Sequence, residues 1–126
     1  MKFDTTKEGL HTLFKPYQSA LLNYIWDLNG ESRIGIASGQ AFKFLQETGE
    51  SELMKSRASI ISFFNDMVRK KLFSYEEKTG KGGFHKIYFP EMNRMQFAKH
   101  VIKIIAKKLK EVFLDTSLRD SMTIAQ

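Results

Sequence analysis

The chain has 126 residues, 42% of them hydrophobic and 27% charged, with eleven Phe, four Tyr, one Trp and a formal net charge of +6. That is apolar material enough for one packed domain and too much for wholesale disorder. There is no cysteine, which excludes disulfides, thiol nucleophiles and thiolate metal sites and fits a reducing compartment.

Residues 1–13 are polar and mixed and read as a loose N-terminal arm; they lack the apolar core of a signal peptide. "KPYQSALLNYIWDLNG" then predicts a helix. Pro16 stands at its first position and Gly30 at its end. Tyr17, Leu21, Leu22, Tyr24, Ile25 and Leu28 recur at three- and four-residue spacing, which makes one broad apolar face. Arg33 to Ala37 is a short extended piece, able to pair with a later hairpin. "SGQAFKFLQETGE" predicts a compact helix with Ser38 as N-cap and Gly49 as stop, turning Ala41, Phe42, Phe44 and Leu45 inward.

"SRASIISFFNDMVRKKLF" predicts a further helix over about residues 56–71. Ser56 is suited to cap it, and Ile60, Phe63, Phe64, Met67 and Val68 are its buried positions by period. Arg57, Ser59, Ser62, Asn65 and Arg69 fall on the other side. Two strand-like runs, "LFSYEEK" and "FHKIYFP", follow around the tip "TGKGG", and Pro90 ends the second. From Glu91 the chain runs about 24 residues without Pro or Gly. At 1.5 Å per residue, a helix of that length spans over 30 Å. Met95, Ala98, Val101, Ile102, Ile105, Leu109, Val112 and Phe113 form its apolar stripe, and lysines decorate its other sides. Residues 116–126 read as a polar tail that frays.

The charge is unevenly placed: net −1 over residues 1–50, +4 over 51–90 and +3 over 91–126. A basic excess in the later segments points to a polyanionic partner, with a lysine-rich solubilising surface as the plain alternative. The expected fold class is α+β, mainly α. A helix pair followed closely by a hairpin is the winged helix-turn-helix arrangement, here over residues 14–90, with a long C-terminal helix over 91–115.

"FKPYQSALLNYIWDLNG" resembles the opening helix of the penicillinase-repressor group, with its Pro near the start and aliphatic-Trp pair near the end. "SRASIISFFNDMVRKKLFSYEEKTGKGGFHKIYFP" resembles the recognition helix and wing of that group, and equally those of the multiple-antibiotic-resistance repressors. The resemblance covers roughly residues 13–90, and the long helix is similar in place but not in sequence. It departs at Lys71, where those families place Gly, and in the absence of the thiolates that copper-responsive members use. What it implies is a cytoplasmic, homodimeric repressor of transcription that binds double-stranded DNA.

In such folds the N-terminal residues of the second helix of the pair meet base edges in the major groove. The resemblance therefore assigns Ser56, Arg57, Ser59, Ser62, Asn65 and Arg69 to DNA, with Arg57 suited to guanine and Asn65 to adenine, and phosphate contacts open to both. Ile61, on the outer side, suits a thymine methyl or the core. Lys78, Lys81 and Lys86 on the wing are assigned to phosphates. Dimerisation falls to Met95, Val101, Ile102, Ile105, Leu109, Val112 and Phe113, the alternative being that the long helix folds back over its own domain and covers Trp26 and the Phe cluster. A small-molecule effector pocket follows only by family analogy. A winged helix used for protein–protein contact in a larger transcription or chromosome assembly is the rival reading, and RNA binding a third.

No enzyme is expected. "GKGG" lacks the spacing of a phosphate-binding P-loop. His11, His85 and His100 have no ligand spacing, and no serine stands in an elbow motif. No metal, cofactor or membrane span is expected either.

Overall fold

The computed structural model describes residues 13–80 and 83–114. Most of the expected arm, Lys81 and the expected tail lie outside the described residues. The chain divides into two compact units, residues 1–93 and 94–126. The fold is α+β and mainly helical, with four α-helices and a three-stranded antiparallel sheet among the described residues.

Helix α1 spans Pro16–Leu28. Pro16 presets its first turn, and the Lys15 N–H donates to Gln18 Oε1 at 3.0 Å, which satisfies one of the free donors there. Leu21, Leu22 and Ile25 are fully buried along one face. The expected stop at Gly30 is instead made by Asn29. Its Nδ2 donates to the carbonyls of Ile25 and Ile34, and its Oδ1 accepts from Ile34 N–H at 2.7 Å. One amide side chain thus ends the helix and fixes the loop that leads to the sheet.

Strand β1 is only Ile36–Ala37. Gly35 precedes it because nothing larger fits: a Cβ there would fall 2.3 Å from Ile87 Cγ2 and 2.7 Å from the Phe89 ring. Helix α2, Ser38–Glu47, begins with Ala37 as its cap and no side-chain cap bond, so Ser38 is the first helical residue and not the N-cap. Ala41 and Leu45 are its buried positions, and Phe44 stacks on Tyr24 with ring centroids 4.0 Å apart. Gly49, at φ 70°, takes the left-handed conformation expected of a helix stop.

A 3₁₀ turn, Ser51–Leu53, leads to α3, Arg57–Arg69. Ser56 caps it as expected, its Oγ accepting from Ser59 N–H at 3.1 Å. Ile60, Phe63, Phe64 and Met67 are buried, and Val68 only partly. The helix closes without glycine. Leu72 N–H bonds to Met67 carbonyl and Lys71 N–H to Val68 carbonyl, both at 2.9 Å, with Lys71 at φ 62°. This is the Schellman pair of bonds, and Leu72 and Met67 are both buried beneath it. The turn is as tight as glycine would make it, with a β-carbon held in left-handed backbone.

Strands β2, Phe73–Gly80, and β3, Gly83–Pro90, form the hairpin, and β3 is the central strand in the order β1-β3-β2. The ladder runs from Phe73–Pro90 to Gly80–Gly83, so Thr79, Gly80 and Gly83 belong to strands and not to a loose tip. Aromatic rings make the core: Phe64 meets Phe63 and Phe73 at 5.8 Å and Tyr88 at 4.9 Å. Phe63 in turn meets the edges of Phe14 and Tyr17. Arg33 fastens the sheet edge, lying 4.4 Å over Phe89, bonded to Ser74 Oγ at 3.0 Å and paired with Glu91 at 3.5 Å.

The second unit holds α4, Arg94–Leu109, which starts later than expected and passes into a π-helical turn, Lys110–Leu114. Phe97 and Val101 are its buried residues. Met95, Ile102, Leu109, Val112 and Phe113 are exposed, and Ile105 is half-buried. Val101, expected on the dimer stripe, is therefore already covered in the single chain.

Replacing Lys71 by Gly removes the left-handed strain at the small cost of a more flexible unfolded chain. A gain of about 0.5–1 kcal/mol is expected, read as a higher urea midpoint at unchanged m-value. An equal or lower midpoint would show that the turn is unstrained.

Candidate nucleic-acid interface

Helix α3 presents two hollows, one on each side of its exposed ridge. The first lies between α3, the start of α2 and the hairpin and has a volume of about 320 Å³. Arg57, Ile61 and Asn65, four residues apart, form its helix wall; Phe84, Lys86 and Tyr88 form its strand wall, with His85 and Ser38 at its margins. The second, more open, lies between α3 and the start of α1 and is lined by Ser59, Ser62, Asp66 and Arg69 with Lys15 and Gln18. Of the six positions expected on one DNA-facing surface, Arg57 and Asn65 line the first hollow, Ser59, Ser62 and Arg69 line the second, and Ser56 lines neither.

Several of them already have partners. Arg57 is exposed and reaches back 3.2 Å to Ser38 Oγ, which holds its guanidinium at the mouth of the first hollow. Ser56 and Ser59 bond to each other through their hydroxyls at 3.1 Å, while Ser62 stands exposed. Arg69 pairs with Asp66 at 3.2 Å, and Lys70 with the same carboxylate at 2.8 Å. The hydrogen bond from Lys70, with Arg69 adding to it, holds the Asp66 carboxyl below its ordinary value against the opposing effect of partial burial. A carboxylate lowered in this way stabilises the fold above the usual carboxylate range, and the contribution fades as pH falls through the lowered value.

Asn65 departs furthest from its expected role. Tyr88 OH donates to its Oδ1 at 2.8 Å, part-buried, so the oxygen needed to accept from adenine is engaged within the fold. Its measurable duty is to hold β3 against α3. Burial of Tyr88, with Tyr75 close by, raises the phenol above its ordinary value and keeps it a donor.

The lysines of the hairpin do not share a face. Strand alternation and the register put Phe84, Lys86 and Tyr88 on the α3 side with Thr79, Glu77 and Tyr75, and put His85 and Lys78 on the other. Lys86 lies 4.6 Å over the Tyr75 ring. Glu77 stands directly opposite Lys86 in the ladder, on the same face of the hairpin. Phe84, which the sequence reading passed over, is 77% exposed. Its signal was legible: an aromatic one residue from a glycine-rich hairpin end lies beyond the reach of the core. Ser38 was read only as a cap, because its contact with Arg57 joins residues nineteen apart.

No protein-family model, curated protein or solved structure matches the chain. Among the described residues no helix is long and apolar enough to cross a membrane.

Tyr88→Phe keeps the ring against Phe64 and removes the bond to Asn65. A loss of about 1 kcal/mol is expected in urea unfolding, whereas Tyr88→Ala should lose about 3–5 kcal/mol. Equal losses for the two would mean that the hydroxyl carries the site.

Proposed function

We propose that this chain is a winged helix-turn-helix protein of the kind that the penicillinase-repressor resemblance implies: a homodimeric repressor that binds double-stranded DNA. The observation that carries this reading is the hollow in which Arg57 of α3 and Lys86 of β3 face a common opening beside a capped helix start. In the bound state α3 enters the major groove, and Arg57 reads guanine or clamps a phosphate. Ser59 and Ser62 take phosphate oxygens or base edges. Lys78 and Lys86, on opposite faces of the hairpin, bracket a strand of the backbone. Asn65 supports the wing and does not read bases, and Arg69 reaches phosphate only by loosening its pairing with Asp66.

Each phosphate neutralised adds about 0.9 to the slope of log affinity against log salt. Wild-type binding to random-sequence duplex should therefore fall steeply between low and physiological salt. Lys78→Ala should weaken it on all sequences and lower the slope by about 0.9. Arg57→Ala should change sequence preference as well. Absent or salt-insensitive binding at low salt would refute the reading.

The dimer is supported by α4. Met95, Ile102 and Leu109 are seven residues apart and 67%, 66% and 50% exposed, with Ala98 and Ile105 between them at the alternate positions. That spacing is the seam of a two-helix coil, and its best-matched partner is the same helix in a second copy. Ile102→Asp should sediment as a monomer at concentrations where the wild type is a dimer; an unchanged dimer would remove α4 from the interface.

A further inference from the structure

We infer that Phe84 is an apolar wedge that the hairpin presses between base pairs of a duplex, so that the wing reads the deformability of DNA as well as its charge. The inference rests on the DNA-binding reading above. Phe84 is the most exposed large hydrophobic side chain among the described residues. It shares a strand face with Tyr88, but Tyr88 is in the core and Phe84 stands four residues further out, past the last residue that Phe64 covers. Its cross-strand partner is the small Thr79, and beyond that pair the ladder has only Gly80 and Gly83. Among the described residues a Cβ on Gly83 would meet nothing within 4 Å, and its φ of 104° keeps that position a glycine.

The surroundings say what the ring meets. Lys86 lies on the same face, Arg57 on the facing helix wall of the same hollow, and Lys78 on the reverse of the hairpin. An apolar plate ringed by cations matches a partner with an anionic edge and a flat apolar interior, which is a base stack behind its phosphates. Apolar wedges of this kind open a base step and bend the duplex, and they do so most easily at flexible pyrimidine–purine steps. A lipid surface fits less well, because Glu77 lies on the same face between Phe84 and Tyr75, the other exposed large hydrophobic residue of the hairpin among the described residues, and Lys86 covers Tyr75.

The test uses the full chain and a duplex of about 30 base pairs enriched by the wild type from a random pool, with 2-aminopurine placed at each adenine in turn. The wild type is expected to raise 2-aminopurine fluorescence about twofold or more at one position or two adjacent ones, beside a pyrimidine–purine step. Phe84→Ala should bind about tenfold more weakly and abolish the rise. Phe84→Leu should keep most of it, and Lys78→Ala should weaken binding with the rise intact at saturation. The wedge is overturned if Phe84→Ala shows the wild-type rise, or if tight wild-type binding gives no rise at any position. It is also overturned if the wild type gives no rise but binds phosphatidylserine vesicles and Phe84→Ala does not. Failure to enrich any duplex refutes the DNA-binding reading itself, and the wedge with it.

Discussion

The relation between the helix that carries the candidate site and the hairpin beside it depends on one tyrosine. Tyr88 sits in the central strand, paired with Ile36 on one side and Tyr75 on the other. Its ring packs on Phe64 and its hydroxyl donates to Asn65, consecutive residues of α3. A tilt of the hairpin relative to the helix would have to break the ring contact, the hydrogen bond or the strand ladder. The apolar contact gives affinity between the two elements, and the directional bond sets their angle.

That rigidity decides how charge is presented. The basic excess of residues 51–90 does not form one uniform surface. Asp66 binds Arg69 and Lys70 at the far end of α3, and Glu77 stands opposite Lys86 in the hairpin. Arg57 and Lys78, both exposed, stand at separate places, one at the helix start and one on the outer face of the hairpin. Under the proposed DNA-binding function, such a surface would gain little from bulk attraction and would rely on the spacing of its charges, which favours discrimination over indiscriminate attachment.

The helices were legible because each carries a periodic apolar face and a local boundary signal, such as Pro16 and Ser56 at helix starts and Gly49 after a helix end. The hairpin was legible from its aromatic alternation. The sequence did not reveal contacts between residues distant in the chain. Asn65 read as a free polar residue on an outer face because its partner is twenty-three residues away on another element. Val101 fell on the same stripe as Ile102, and periodicity alone cannot tell two adjacent apolar stripes apart. Gly30 drew attention as a helix stop, although Asn29 does that work through bonds that reach the next loop. The two-residue strand β1 is too short for any pattern; its place is set by Gly35, where another segment passes too close for a side chain.

The closure of α3 at Lys71 has a consequence for how the chain meets proteases. Arg69, Lys70 and Lys71 are consecutive and exposed, an inviting run for an enzyme of tryptic specificity. Such enzymes take their substrates as extended strands, and this backbone is the reverse: helical, then left-handed, with the N–H groups of Lys70, Lys71 and Leu72 all bonded inward. Cleavage there requires the end of α3 to open and Leu72 to leave the core. Nicking at this run therefore counts the openings of the helix end, and exposure of the lysines on the surface contributes little to its rate.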